Sequence, residues 1–264
     1  VFKFGRKFGF FVAKRVMPVP AGISEPLLEG AANEAIVRDS RIFDIIPQNL
    51  MGCRETLQRA NQKDSLQIVE TRWTDAGKMK PPEWVHSGDA PYAGGTLLQG
   101  GFKVALAAAP EDIWPLISRI GGQNGWYFGN FLWQIRGWMD SLAGGVGLRR
   151  GRRHIENLQT GDALDFWRVL EVDPPNRLIL VAEMKLPGEA IMDFEIAHIE
   201  NGVTELRLGT RFRPRGIYGM LYWYALLPFH DLLFGNMLKK IAIKVKRPIL
   251  KEPSKFKPGP IIMA

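Results

Sequence analysis

Four strand-like runs lie close together between residues 161 and 214 of this 264-residue chain. The runs are GDALDFWRVLEV, NRLILVAEMK, GEAIMDFEIAHIE and VTELRLGTRFRP, and the turns between them are DPPN, LPG and ENG. Turns this short join antiparallel neighbours, because a crossover between parallel strands needs a dozen or more residues. The segment therefore predicts an antiparallel sheet, a strong constraint on the fold.

Side-chain alternation within the last two runs shows which face of this sheet meets water. One face carries charge and the other is apolar, since successive side chains of a strand point to opposite faces. The charged face holds Glu189, Asp193, Glu195, Glu205, Arg207, Arg211 and Arg213, and the apolar face holds Met192, Phe194, Ile196, His198, Leu206, Leu208, Thr210 and Phe212. We therefore expect cross-strand ion pairs on one face and a helical cover on the other.

A first helix that could supply this cover lies in the aromatic-rich stretch NGWYFGNFLWQIRGWMD, residues 124–140. One stripe at helical spacing, Phe128, Phe131, Leu132, Ile135, Met139 and Leu142, predicts packing against the sheet. A second stripe, Trp126, Gly129, Trp133 and Gly137, has glycine gaps that could admit a neighbouring ring or backbone. Trp126 and Trp133 are therefore the aromatic residues of this helix that we expect at a binding site.

The second covering helix is predicted over residues 216–247, with Pro228 in its middle. Residues 216–238 contain no Lys, Arg or Glu, so burial against the sheet, contact with a membrane surface and a membrane span are all open. Burial is favoured, because Asp231 at mid-bilayer would cost roughly 2.5–3.5 kcal/mol.

The remaining segments define the domain organisation. Residues 1–75 contain helical pieces separated by prolines, and residues 76–96 form a linker with prolines and the Gly94–Gly95 pair. The strand GFKVALAAAP and the short helix PEDIWPLISRI open a domain over residues 97–247. Residues 248–264 are a basic, proline-rich tail that we expect to be loosely ordered.

The distribution of charge limits the binding partners that we expect, and the cysteine content limits the cellular compartment. The net charge of +8 is concentrated at both chain ends and in an internal basic loop, a pattern that suits an anionic membrane surface or nucleic acid. No zinc-ligand spacing, RNA-binding signature or helix-turn-helix pattern is present, so we expect no nucleic-acid partner. One cysteine and a short N-terminal apolar run favour a cytoplasmic protein, and a location at the membrane periphery stays open.

Long segments resemble a known family. The segments GWYFGNFLWQIRGWMDSLAGGVGLRRGRRH, GDALDFWRVLEVDPPNRLILVAEMKLPGEAIMDFEI and YWYALLPFHDLLF resemble an uncharacterised bacterial family of the START/polyketide-cyclase (SRPBCC) superfamily. The resemblance implies an α+β helix-grip fold, in which a curved antiparallel sheet surrounds a long C-terminal helix. It also implies that such domains commonly follow a short-chain-dehydrogenase-like, NAD(P)-binding domain, of which residues 1–75 resemble the joining segment.

The NAD(P) binding that the family resemblance implies for an upstream domain cannot be assigned to the residues of this chain. The chain has no Gly-x-Gly-x-x-Gly after a strand and no Tyr-x-x-x-Lys pair of the short-chain-dehydrogenase type. We therefore expect no cofactor and no metal in this chain, and NAD(P) only in an upstream domain that the resemblance implies.

The helix-grip fold implies a cavity between sheet and helix, the usual place for a small molecule. The first hypothesis is a module that binds a lipid, a quinone or a polyketide-like compound. Its candidate lining residues are Trp126, Trp133, Arg136, Trp167, Arg168, Met184, Phe194, His198, Thr210, Tyr222 and Tyr224. A substrate-orienting domain of an NAD(P)-dependent oxidoreductase and a peripheral membrane protein are the alternatives.

Evidence for catalysis in the sequence is weak. Arg149, Arg150, Arg152 and Arg153 beside His154 form a candidate anion-binding loop. His230 and Asp231 are adjacent in sequence, which places them about 100° apart on a helix and not on one face. Whether the chain is an enzyme is left open.

Overall fold

The computed structural model describes residues 26–27, 29–30, 33, 36–66, 82, 95–148, 151–200 and 202–259. The chain divides into two compact units, Val1–Gly77 and Lys78–Ala264. The described part of the first unit contains helices α1 (Ile42–Ile45) and α2 (Cys53–Ser65). Helix α2 is the one predicted from the segment GCRETLQRAN.

The second unit is built around one antiparallel sheet. Its elements in chain order are β1 (Leu98–Leu106), α3 (Pro110–Ser118), α4 (Asn130–Leu142), β2 (Ala163–Leu164), β3 (Trp167–Asp173), β4 (Arg177–Ala182), β5 (Gly188–Glu200), β6 (Val203–Pro214), α5 (Gly216–Val245) and β7 (Ile249–Phe256). The seven strands lie in the order β2-β3-β4-β5-β6-β1-β7, and neighbouring strands pair antiparallel. The predicted antiparallel sheet is confirmed.

Helix α5 lies against one face of the curved sheet and contacts β1, β6 and β7. Its inward positions are Gly219, Trp223, Leu233, Phe234, Met237, Leu238, Ile241 and Ala242, all of which are buried. This is the helix-grip arrangement that the sequence resemblance implies. Within the described residues, no helix combines the length and apolar character that crossing a bilayer requires.

The predicted ion pairs lie on the opposite face of the sheet. Arg207 Nη1 is 3.4 Å from Glu195 Oε2, between residues directly paired across β5 and β6. Arg211 forms a buried ion pair with Asp193. Their positions confirm that the charged side chains share one face, but Asp193, Glu205 and Arg211 are buried on it rather than exposed to water as predicted.

The prediction of a loosely ordered C-terminal tail is wrong for residues 249–256, which form β7 along the free edge of β1. The partner of Phe102 is Lys255, and that of Lys103 is Ser254. Backbone N–H and C=O groups on an edge need partners whatever the side chains are. A polar segment containing Pro253 can supply them, because proline is tolerated on edge strands.

The face of α4 that packs inward is the reverse of the one predicted. Trp133, Gly137 and Asp140 are buried. Four members of the predicted packing stripe, Phe131, Ile135, Met139 and Leu142, are exposed, as is Trp138.

The reason for this reversal is a set of close contacts that apolar spacing does not encode. A Cβ on Gly137 would lie 2.5 Å from Leu148 Cγ, so the glycine permits this close approach. Asp140, which is fully buried, accepts N–H groups from Gly147 (2.8 Å) and Lys185 (2.6 Å). A buried carboxylate needs such donors, so Asp140 fixes the inward face of the helix.

Candidate functional site

Nine rings form a continuous series through the interior between the sheet and the helices, called here the aromatic chain. In order they are Tyr222, Phe212, Trp223, His230, Phe234, Trp133, Trp126, Trp167 and Phe166, and Phe166 also contacts Trp133. Consecutive ring centroids are 4.6 to 6.5 Å apart, the range of favourable aromatic contacts. The aromatic chain thus joins α5, α4 and β3.

Trp126 is held at this position by a buried carboxylate. Its Nε1 donates to Asp165 Oδ2 (2.8 Å), which also accepts the Gly122 N–H (3.0 Å). Burial raises the pKa of Asp165, whereas the hydrogen bonds from Gly122 and Trp126 act in the opposite direction. Asn130 Oδ1 accepts the Trp126 backbone N–H (2.9 Å). Trp126 is therefore fixed at both its ring and its backbone.

Trp133 stacks on Trp126 with ring centroids 4.6 Å apart, and Phe166 and Phe234 lie at 5.9 and 6.4 Å. It projects from the inward face of α4 and is 6% exposed. Helix α4 begins after Gly129, whose φ of 63° is a left-handed conformation that glycine adopts readily. A Cβ there would lie 2.7 Å from Leu233 Cδ1, so Gly129 also lets α4 approach α5.

Three ring nitrogens of the aromatic chain are buried without a hydrogen-bond partner among the described residues. They are Trp133 Nε1, Trp167 Nε1 and His230 Nδ1. The large majority of buried side-chain polar atoms in proteins have a partner, and one left without costs about 1–3 kcal/mol. Three such atoms in one connected cluster are therefore an unusual feature of this interior.

His230 lies between Trp223 and Phe234, at centroid distances of 5.5 and 5.2 Å. Burial lowers its pKa to about 4, and the adjacent Asp231 opposes that shift only in part. The imidazole is consequently neutral at pH 7, and its Nδ1 is buried without a partner.

One end of the aromatic chain approaches the surface where α4, α5 and the β4–β5 connection meet. Arg136 Nη2 donates to the Lys185 carbonyl (3.3 Å). Burial raises the pKa of Tyr222, and the Arg136 guanidinium acts against that change. Arg136, Tyr222 and Met184 are half-buried, so this corner combines a cation, a phenol and a thioether at the rim of the interior.

Several predicted lining residues are brought together by the structure. Trp126, Trp133, Trp167 and Phe194 belong to one buried core, and Met184 packs against it. Arg136 and Tyr222 mark its rim. Thr210 is half-buried, and its hydroxyl donates to the Gly100 carbonyl (2.9 Å) across the β1–β6 pair.

The predicted inward positions of His198, Tyr224 and Arg168 are wrong. His198 is exposed at the end of the regular β5–β6 register, just before the irregularity between His198 and Glu200. Tyr224 is exposed because it lies 200° around α5 from Tyr222, so the two cannot share a face. Trp167 takes the inward position on β3, and the half-buried Arg168 pairs with Glu183 through two 3.0 Å hydrogen bonds.

In the described part of the arginine loop, Arg152 and Arg153 both form hydrogen bonds within the domain. Arg152 donates to the carbonyls of Ser118 (2.5 Å) and Ile120 (2.9 Å), and burial lowers its pKa to about 10. Arg153 forms two hydrogen bonds with Asp162, at 2.8 and 2.9 Å. Both are engaged within the fold, which argues against the predicted anion site, and Arg149 and Arg150 lie outside the described residues.

His230 and Asp165 are site residues that sequence reasoning did not assign to the interior. His230 could have been found from the helical wheel, because Trp223, His230 and Phe234 fall within about 40° of one another. No local sequence pattern indicates that Asp165 lies in the interior, because its partner Trp126 is distant in sequence.

A cavity of about 470 Å³ lies on the opposite, charged face of the sheet. Its lining includes Lys103, Arg177, Asp193, Glu195, Arg207 and Arg211, and the segment 256–259 borders it. Arg211 Nη2 donates to the Gly259 carbonyl (2.5 Å), which ties that segment to the sheet. This cavity is therefore polar and distinct from the predicted apolar one beneath α5.

Residues 92–237, more than half of the chain, match the model of a family described as "Protein of unknown function (DUF2867)". No curated protein matches the chain.

Solved structures to which the chain is similar include an HSP90 activator from Plasmodium falciparum, at 11% identity and a TM-score of 0.33, covering 59% of this chain and 99% of that one. Norcoclaurine synthase from Thalictrum flavum is similar at 11% identity and a TM-score of 0.35, with 64% and 98% covered. CalU16 from Micromonospora echinospora is similar at 13% identity and a TM-score of 0.28, with 56% and 82% covered.

Proposed function

We propose that this chain, which belongs to the DUF2867 family of proteins of unknown function, binds an apolar or amphipathic small molecule against its aromatic chain. The observation that carries the proposal is the set of three buried ring nitrogens without partners, at Trp133, Trp167 and His230. A bound molecule with acceptor oxygens would satisfy the two indole N–H groups and remove their desolvation cost.

The chemistry of the site limits the ligand class. Indole N–H groups donate only, so the ligand must carry an acceptor such as a carbonyl oxygen. The surrounding rings favour a flat or unsaturated body that can stack on them. A quinone or a polyketide-like compound meets both requirements more fully than a saturated lipid chain does.

The corner formed by Arg136, Met184 and Tyr222 is the proposed route into the interior. These side chains are only half-buried and lie where α4, α5 and the β4–β5 connection meet. A small separation of α4 and α5 at this corner would open the aromatic chain to a ligand. Met184 is suited to that movement, since methionine side chains adapt to irregular spaces.

We propose binding rather than catalysis, because the two titratable side chains of the interior, Asp165 and His230, contact different sets of residues. The Asp165 carboxylate is engaged by Trp126 and Gly122, and the His230 imidazole lies among aromatic rings. An arrangement in which this domain orients a substrate for an NAD(P)-binding domain rests on the sequence resemblance alone. A dinucleotide fingerprint upstream in the gene would support it, and its absence there would remove it.

Native mass spectrometry of the purified chain, followed by organic extraction, tests the proposal directly. We expect a mass increment that disappears on extraction and a carbonyl-containing compound in the extract. A chain that carries no adduct and takes up no naphthoquinone when incubated with an excess of it would contradict the proposal.

A further inference from the structure

Helix α4 presents an apolar stripe to solvent. The stripe consists of Phe131, Ile135, Trp138, Met139 and Leu142, all exposed, with Phe131 63% and Trp138 65% exposed. Scattered exposed apolar residues are ordinary, but a stripe of five on a helix of 13 residues is not.

The first half of α5 has a similar outward face. Ile217, Tyr218, Leu221, Tyr224, Phe229 and Leu232 are all exposed, and they extend over more than four turns of the helix. The opposite face of the same helix is buried against the sheet. The first half of α5 is therefore apolar on its exposed face as well as on its buried face.

The two outward faces form one surface, called here the apolar platform and defined by the eleven residues just named. Helices α4 and α5 are in contact, since Trp133 contacts Phe234 and Leu233 approaches Gly129. Both helices point their buried stripes toward the interior, so their opposite faces point the same way, away from it.

The acidic residues of the two helices are buried or paired, whereas exposed basic residues lie at both ends of the platform. The one acidic residue of α4, Asp140, is fully buried, and that of α5, Asp231, is paired with Lys255 at 2.5 Å. Exposed basic residues flank both ends: Lys185 and Arg215 at one, Lys239 and Lys240 at the other. Lys239 and Arg215 have acidic partners at 3.1 and 3.3 Å, whereas Lys185 and Lys240 extend the positive charge of the rim.

We propose that the apolar platform docks on an anionic membrane surface, with α4 and α5 lying in the plane of the interface. Exposed Trp, Tyr, Phe and Leu side chains are the residues that insert at the boundary between headgroups and acyl chains. Flanking lysines add attraction to anionic lipids, and the platform contributes no unpaired carboxylate to oppose it. This surface lies on the outside of the helices, so the inference stands independently of a ligand in the interior.

The test is flotation of the full chain with phosphatidylcholine vesicles with or without about 30% phosphatidylserine. We expect flotation with the anionic vesicles that weakens at high salt, because salt screens the lysine contribution. The triple variant Phe131→Ser, Trp138→Ser, Leu221→Ser removes three exposed apolar groups and should lower vesicle affinity at least about tenfold.

A matched control is the double variant Ile199→Ser, Leu250→Ser, which removes exposed apolar groups away from the platform and should float like the wild type. Circular dichroism and thermal melts should show all three proteins folded, since every replaced side chain is exposed.

Wild-type protein that does not float with anionic vesicles at low salt overturns the proposal, as does a triple variant that floats unchanged. A dimer that the triple substitution dissociates, in a chain indifferent to vesicles, would instead assign the platform to a second copy. Naphthoquinone uptake measured without vesicles reports on the interior separately from either result.

Discussion

The half-buried His230, whose Nδ1 is enclosed, makes the stability of the chain depend on pH. Its pKa of about 4 in the folded protein lies below the ordinary value of about 6.5, so the unfolded chain binds a proton more readily. The stabilisation is complete above pH 6.5 and is lost as the pH falls toward 4. By linkage, the whole shift corresponds to about 3 kcal/mol, of which about 2 kcal/mol is lost between pH 7.5 and pH 5.

Urea denaturation of the wild type and of His230→Phe at these two pH values measures this contribution. Phenylalanine keeps a ring against Trp223 and Phe234 but has no proton to gain, so the variant should lose about 2 kcal/mol less than the wild type on acidification. His198→Gln is the matched control, since His198 is exposed, and its pH dependence should follow the wild type. Equal pH dependence in the wild type and His230→Phe would refute the burial of His230.

Three further substitutions test the packing. Trp133→Ala should lower the free energy of unfolding by about 3–5 kcal/mol, because the ring is almost fully buried between Trp126 and Phe166; a loss below about 1 kcal/mol in urea denaturation would contradict this packing. Gly137→Ala should cost about 1–3 kcal/mol by the clash with Leu148, and an unchanged melting temperature would show that the clash relaxes. Asp193→Asn should destabilise by about 3–5 kcal/mol, because it leaves the buried Arg211 charge uncompensated, and denaturation equal to wild type would show that charge to be solvated.

The sheet and α5 were predictable because their signals are local. Period-two alternation fixed the faces of β5 and β6, and short turns fixed their antiparallel pairing. The face of α4 was not predictable, since its five apolar side chains resemble a core stripe whereas the inward face is determined by Asp140, Gly137 and their distant partners. Strand β7 was missed because an edge strand is held by backbone hydrogen bonds and needs no apolar pattern.

The candidate site was predictable only in part for a related reason. The glycines around Trp126 and Trp133 correctly indicated a close approach of another element. His198 was placed inward by continuing the alternation of β5 to the last residue of its regular pairing with β6, and whether a position there is covered depends on the elements packed around it. The unpartnered nitrogens of Trp133 and Trp167 are properties of the tertiary arrangement, because whether an indole finds an acceptor depends on residues far away in sequence.

Calorimetric titration of a naphthoquinone into the wild type, Trp133→Phe and Trp138→Phe tests the central claim most directly. Trp133→Phe keeps a buried ring but removes the unpartnered N–H, while Trp138→Phe makes the same chemical change at an exposed position of the same helix. We expect Trp138→Phe to bind like the wild type and Trp133→Phe to bind about tenfold more weakly, the value of one lost hydrogen bond. Equal affinities in all three proteins, or no binding by the wild type, would contradict the assignment of the aromatic chain as the binding site.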